Sequence, residues 1–179
     1  AQGIINLALM TGNIGRPGTG ANSITGQCNA MGSRAFSNTT GLYGGGEYTD
    51  ENRRKVVAEA LDIDEKILPT KPTLPYNVII DKINSGEIKA LWIVATNPIV
   101  SWINNLDFKK AAEKLEFLVV QDIYSDTDTA RYCDLFLPST NGLKKEGVII
   151  NTERRLSKLD PVLPKVENEL SDYDIALGI

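Results

Sequence analysis

Ala90-Leu-Trp-Ile-Val-Ala95 is a continuous apolar run, and Thr96-Asn-Pro98 closes it. A second apolar run, Phe117-Leu-Val-Val120, is closed in the same way by Gln121-Asp122. Short apolar runs that end in turn residues are typical of strands buried on both faces of a parallel sheet. The two runs therefore predict two neighbouring strands.

Helical patterns alternate with these runs along the chain. Residues 107–115 carry apolar side chains at helical spacing, and residues 128–132 form a third helical piece that leads into Leu135-Phe-Leu-Pro138. Alternation of this kind is typical of α/β proteins. The sequence predicts a Rossmann-like, doubly wound, mainly parallel sheet with a long, loop-rich N-terminal segment.

The chain divides into three predicted regions. Residues 1–48 contain an apolar helix at residues 2–10, expected to be buried, and then glycine-rich loops of a kind that commonly carry function. Residues 49–142 form the α/β core, which opens on a helix start at Thr49-Asp-Glu51. Residues 143–179 are more polar and are expected to pack, as a C-terminal extension, on parts of a longer protein.

Composition excludes several classes of function. The 179 residues include 19 Lys+Arg and 23 Asp+Glu, a net charge of −4, which disfavours binding to nucleic acid or to an anionic membrane. Without histidine, the chain itself has no His-based catalytic triad and no His-ligated metal. Its two cysteines, Cys28 and Cys133, are too far apart for a zinc or iron–sulfur motif, and they fit a reducing compartment, so we expect the cytoplasm.

Polar residues at the predicted strand ends are candidates for ligand binding. Ligands of open parallel sheets bind beyond the carboxyl ends of the strands, where Asn97 and Asp122 stand. Both residue types also cap turns, and that alternative stays open. Lys144-Lys145 and Arg154-Arg155 could neutralise a pyrophosphate or could form a solvated charged face. The glycines of residues 12–20 match neither nucleotide-binding fingerprint and favour tight turns.

An ordered set of motifs resembles the prokaryotic molybdopterin oxidoreductases, and among them the assimilatory nitrate reductases most. The set covers nearly the whole chain, so it is far more specific than any one motif. It comprises Ser23-Ile-Thr-Gly-Gln-Cys-Asn-Ala-Met-Gly-Ser-Arg34, Ala95-Thr-Asn-Pro98, Val120-Gln-Asp122, Asp134-Leu-Phe-Leu-Pro138, Lys145-Glu-Gly147 and Asn151-Thr-Glu-Arg-Arg155.

The resemblance implies a larger enzyme that holds molybdenum on two molybdopterin guanine dinucleotides and carries a four-iron four-sulfur cluster. The cysteine motif of the cluster, the molybdenum-ligating cysteine and the last domain of such enzymes have no counterpart here. We therefore expect an interior fragment that is inactive alone, without metal ligands or the cluster. Its expected partners are the other domains of the same polypeptide, nitrate, and an electron donor such as ferredoxin, flavodoxin or an NADH-linked subunit.

Position by position, the resemblance assigns residues to two tasks. The residues matched to cofactor contacts are Asn97, Gln121, Asp122, Lys145 and Asp172. Gln27 and Arg34 fall in the segment matched to the base of the substrate funnel, where an amide and a guanidinium suit an oxyanion.

The substrate is the most open part of the prediction. Formate dehydrogenases of the superfamily typically have arginine where this chain has Thr25, which favours nitrate. Formate oxidation or reduction of another oxyanion is the alternative. A second alternative is a non-catalytic Rossmann-like domain that binds a nucleotide or contacts another subunit.

Overall fold

The computed structural model describes residues 2–35, 42–43, 46–71, 73–166 and 169–179. The helices are α1 (Gln2–Met10), α2 (Ala30–Ala35), α3 (Glu51–Leu61), α4 (Tyr76–Asn84), α5 (Pro98–Ser101), α6 (Asn105–Ala112) and α7 (Asp172–Leu177). The strands are β1 (Leu42–Tyr43), β2 (Gly46–Glu47), β3 (Ala90–Val94), β4 (Phe117–Asp122), β5 (Leu135–Pro138), β6 (Gly147–Ile150) and β7 (Leu156–Leu159). Short 3-10 turns lie at Glu65–Ile67 and Ala130–Tyr132.

The central sheet consists of β3, β4 and β5, which are parallel and lie side by side in chain order. The register aligns Ile93 with Val120 and Val120 with Phe136. The pairs β1–β2 and β6–β7 are antiparallel. The mixed architecture with a mainly parallel sheet confirms the predicted α/β class.

The core lies on one face of this sheet. Ile93 and Val120 point into it and meet Ile83 of α4 and Phe108 of α6, all of them buried. Successive residues of a strand face opposite sides, so the intervening side chains form the other face.

The prediction that the strands are buried on both faces is wrong for the described residues. Trp92 is 41% exposed and Val94 45% exposed. Phe117 and Leu135, on the same face of the neighbouring strands, are exposed to a similar degree. A continuous apolar run shows that a strand is suited to burial on both of its faces. Burial of the second face also requires a second layer of helices to cover it.

The predicted helix at residues 2–10 is present as α1, but the expectation that it is buried is also wrong. It has no buried residue, and Ile4 is 66% exposed. Its apolar side chains favour burial, but the described part of the chain provides no surface that covers them.

Local capping explains where two helices begin. The Asp50 side chain accepts hydrogen bonds from the backbone N–H groups of Asn52 and Arg53, which confirms the predicted helix start. Ser171 and Asp174 form a reciprocal capping box at the start of α7. Each cap stabilises its helix by about 1 kcal/mol.

The predicted loop-rich stretch at residues 11–48 contains α2 and the short β1–β2 pair, while its residues 36–41 and 44–45 lie outside the described residues. In the described ranges, no helix has the length and apolar character needed to cross a membrane. The thiols of Cys28 and Cys133 are both free.

Candidate functional site

Three of the predicted cofactor residues meet at the carboxyl edge of the sheet. Gln121 of β4 donates from Nε2 to Oδ1 of Asp172, at 2.8 Å. Lys145 donates to the other carboxylate oxygen, Oδ2, of the same aspartate. Asp172 thus joins β4, the residues just before β6 and the start of α7. We call Gln121, Lys145 and Asp172 the edge cluster.

The backbone around Leu170 places Asp172 in this cluster. Ser139, which follows β5, forms an isolated parallel bridge with Leu170. The N–H of Thr140 donates to the carbonyl oxygen of Leu170 at 2.9 Å. The segment before α7 therefore runs beside the end of β5, and Asp172 becomes the first residue of α7 next to β4.

The electrostatics of the edge cluster keep Asp172 charged. Burial has the largest single effect and would raise the pKa of its carboxyl group, but the hydrogen bonds from Lys145 and Gln121 lower it, and the sum of all contacts holds the pKa below its ordinary value. The positive charge of Lys145 acts in the same direction. A carboxylate is therefore the resting state at neutral pH.

Gln121 contains an unsatisfied polar atom. The residue is only 2% exposed, and its Oε1 has no hydrogen-bond partner among the described residues. A buried acceptor without a donor costs about 1–3 kcal/mol. Nε2 of Gln121 already donates to Asp172, so the atom of this side chain that is left to bind a ligand is Oε1, which would accept from a ligand donor.

Asp122 is the last residue of β4, and one of its oxygens already binds the chain. Oδ1 accepts from the backbone N–H groups of Ile123 at 2.7 Å and Tyr124 at 3.3 Å, which is the turn-capping role. Within the described residues, Oδ2 has no hydrogen-bond partner. Asp122 lines a cavity of about 280 Å³ together with Lys145 and Asp172.

Asn97 stands at the end of β3, as predicted, but its side chain is engaged elsewhere. Oδ1 accepts from the N–H of Thr129 at 3.1 Å and from Oγ1 of Thr129 at 2.6 Å. Nδ2 is 3.4 Å from Oδ2 of Asp128. The Asn97 amide thus links the turn between β3 and α5 to the residues just before the 3-10 turn at Ala130–Tyr132. Only its NH₂ group can still donate a hydrogen bond to a further partner.

Gln27 and Arg34 are both exposed and lie before and within α2. No hydrogen bond or ion pair among the described residues joins either of them to the edge cluster. The structure therefore brings together Gln121, Lys145 and Asp172, with Asp122 beside them, while among the described residues no hydrogen bond or ion pair links Asn97, Gln27 or Arg34 to this cluster.

Two structural contacts at this site were not predicted from the sequence. Thr129 is fully buried and binds Asn97, and Glu169 accepts from Nζ of Lys144 at 2.8 and 2.9 Å. The Lys144 hydrogen bond is the main reason that the pKa of Glu169 is lowered. Partners 25 or more residues apart leave no periodic signal, so only the fold could show them.

Comparison with known proteins agrees with this arrangement of motifs. The family model of molybdopterin oxidoreductases matches residues 1–178. A nitrate reductase of Synechocystis sp. is 37% identical over 155 residues, 86% of this chain and 22% of the relative. The assimilatory nitrate reductase catalytic subunit of Bacillus subtilis is 34% identical over 175 residues, 97% of this chain and 24% of the relative.

Formate dehydrogenases are similar to the chain to the same degree. The alpha subunit of one from Methanocaldococcus jannaschii is 34% identical over 174 residues, which is 97% of this chain and 25% of the relative. The chain spans about a fifth to a quarter of the length of the curated relatives it matches. Because the family match extends over nearly every residue, this chain belongs to the molybdopterin oxidoreductase family.

Proposed function

We propose that this chain supplies part of the binding site for the guanine nucleotide end of a molybdenum–pterin cofactor. The observation that carries the proposal is the edge cluster. Gln121, Lys145 and Asp172 come from three separate segments and meet where an open parallel sheet binds its ligands.

The described side chains fit a guanine nucleotide. Asp122 lines the cavity, and Oε1 of Gln121, the residue before it in β4, is a buried acceptor without a donor among the described residues. A guanine edge and ribose hydroxyls offer the donors that such oxygens bind. Lys145 would neutralise a phosphate if it turned away from Asp172. The bound group itself would supply the redox chemistry, while these residues bind and orient it.

We further propose that the complete enzyme reduces nitrate to nitrite, a change that consumes two electrons and two protons and releases water. Thr25 in place of arginine and the similarity to nitrate reductases support this substrate. In this proposal Gln27 and Arg34 hold the anion. Ferredoxin, flavodoxin or an NADH-linked subunit would deliver the electrons, in the cytoplasm, and other domains would hold the iron–sulfur cluster.

Replacement of Asp122 tests the cofactor assignment. We expect Asp122→Ala in the complete enzyme to lower the molybdenum content per protein several-fold, because a nucleotide-binding carboxylate is lost. Molybdenum is measured by mass spectrometry after purification. The matched control is Asp126→Ala, an exposed aspartate of the following loop, which should retain the metal. A fully loaded Asp122→Ala enzyme would remove this residue from the site.

Formate oxidation is the second candidate function, since formate dehydrogenases match this chain at similar identity. The two activities run in opposite redox directions and can be measured on one preparation. Nitrate-dependent oxidation of reduced viologen with nitrite formation supports the nitrate proposal. Formate-dependent reduction of oxidised viologen, without nitrite formation from nitrate, would replace it.

A further inference from the structure

The side chain of Asn29 makes a two-point contact with a strand far away in sequence. Nδ2 donates to the carbonyl oxygen of Val148 at 3.2 Å, and Oδ1 accepts from the N–H of Ile150 at 2.9 Å. A primary amide offers one donor side and one acceptor side, as a peptide group does, so Asn29 binds the edge of β6 as one residue of an added strand would. The two contacts span 119 and 121 residues of sequence.

Gly32 provides the space that this contact requires. A Cβ atom at Gly32 would lie 2.2 Å from Oδ1 of Asn29, which is far inside van der Waals contact. Gly32 is buried within α2, whose first turn therefore lies over the Asn29 amide. The backbone carbonyl of Asn29 also accepts from the N–H of Ser33 at 2.9 Å, so the same residue begins α2.

The residues predicted to hold the substrate lie in exposed parts of this segment, on either side of the contact. Residues 21–28 are all exposed, and so is Arg34. Gln27 precedes Asn29 by two residues and Arg34 follows it by five. On the other side, β6 begins two residues after Lys145 of the edge cluster.

We propose that Asn29 is a positioning residue, which holds the segment with Gln27 and Arg34 in register with the cofactor-binding edge cluster through β6. This inference rests on the proposed function for its substrate. Asn29 would not touch the substrate itself. It would fix where the amide and the guanidinium stand relative to the site, and a small displacement of such groups lowers substrate binding substantially.

The test uses the complete enzyme and combines hydrogen exchange with kinetics. In Asn29→Ala, we expect faster amide exchange in peptides covering residues 22–35 and 148–150, because the Ile150 N–H loses its acceptor. We expect molybdenum content to be retained and KM for nitrate to rise about tenfold or more, with kcat changed less than about twofold, which is the pattern for binding lost equally in the ground state and the transition state. Asn29→Asp retains an acceptor for Ile150 and should restore part of its protection.

Gly32 gives an independent variant with the same expected effect. Gly32→Ala forces the Asn29 amide away from β6, so it should raise exchange and KM as Asn29→Ala does. In an Asn29→Ala background, Gly32→Ala should add little, because its Cβ no longer meets the amide. Gly3→Ala and Asn13→Ala are the matched controls, since Gly3 has open space around it and, among the described residues, the side chain of Asn13 binds only the nearby Thr11 hydroxyl.

The outcomes separate this inference from the proposed function. Unchanged exchange at residues 148–150, unchanged KM, or fully additive effects of the two substitutions would overturn the positioning role. Loss of molybdenum in Asn29→Ala, Asn29→Asp and Gly32→Ala alike would also overturn it, because Asn29 would then serve assembly. If the wild-type enzyme oxidises formate instead, nitrate reduction fails, and KM for formate takes the place of KM for nitrate in the same test.

Discussion

Thr129 shows how one buried side chain holds the edge of the sheet in shape. Its hydroxyl donates to Oδ1 of Asn97 at 2.6 Å and accepts from the backbone N–H of Ile99 at 3.2 Å. The residue is fully buried, so water cannot replace either partner. Asn97 itself depends on this hydroxyl for its orientation, and it is therefore held in place before any ligand arrives.

Replacing Thr129 with valine should destabilise the chain at this point. The shape is retained, but the Ile99 N–H loses its acceptor, so we expect the free energy of unfolding to fall by about 1–3 kcal/mol. Urea denaturation of the 179-residue chain measures the change. Thr96→Val, at an exposed position of the neighbouring turn, should change it by less than about 0.5 kcal/mol. Equal effects of the two variants would contradict the role given to the Thr129 hydroxyl.

At the scale of elements, β3 has two unlike faces. Ile93 lies in the core against α4 and α6, while its neighbour Val94 is 45% exposed on the open face of the sheet. The sequence of β3 is apolar on both faces, so the composition of the strand does not distinguish them. The helices that pack on the sheet make the distinction.

Alanine substitutions in β3 should therefore have unequal effects. Ile93→Ala should lower the free energy of unfolding by about 2–5 kcal/mol, because it leaves a cavity in the core. Val94→Ala should lower it by less than about 1 kcal/mol, because water already contacts the side chain. Thermal and urea denaturation of the two variants measure both values. A large loss for Val94→Ala would indicate that another surface covers the open face in solution.

At the scale of the whole molecule, the edge cluster links the C-terminal segment to the sheet. The ion pair between Lys145 and Asp172 and the hydrogen bond from Gln121 connect residues that are 27 and 51 positions apart. The pKa of Asp172 is held below its ordinary value, so the folded chain binds this proton more weakly than the unfolded chain does. The stabilisation by the carboxylate is therefore complete above the ordinary value of 3.8 and is lost as the pH falls through the lower, folded value.

Protonation of the Asp172 carboxylate at low pH should weaken the attachment of α7 to the sheet. We expect the free energy of unfolding to decrease as the pH falls below about 4, and Asp172→Asn to flatten that part of the pH profile. Denaturation at a series of pH values measures the slope, with Asp126→Asn as the exposed control. Asp172→Asn with the wild-type slope would show that other carboxylates carry the acid sensitivity. Asp174, whose pKa is lowered to about 2 chiefly by hydrogen bonds from Ser171, titrates at the lower end of the same profile.

The amino-acid sequence by itself determined the alternation of strands and helices and the beginning of α3, although the helix predicted at residues 107–115 is Asn105–Ala112 and the piece predicted at 128–132 is a short 3-10 turn at Ala130–Tyr132. These features depend on side chains within a few residues of one another, such as the apolar run at Ala90–Val94 and the cap at Asp50. The ordered motifs also determined the family, because a motif is defined by the order of residues along the chain and can be recognised without the folded structure. The carboxyl-edge position of Asp122 followed from the end of the second run.

Only the tertiary structure decided which distant residues meet and which face of the sheet is buried. The convergence of Gln121, Lys145 and Asp172, and the contact of Asn29 with β6, join positions 27 to 121 residues apart. Such pairings depend on chain topology, and each side chain alone is compatible with a solvated surface. Burial likewise depends on a partner surface, so an apolar helix such as α1 can remain exposed in spite of its composition.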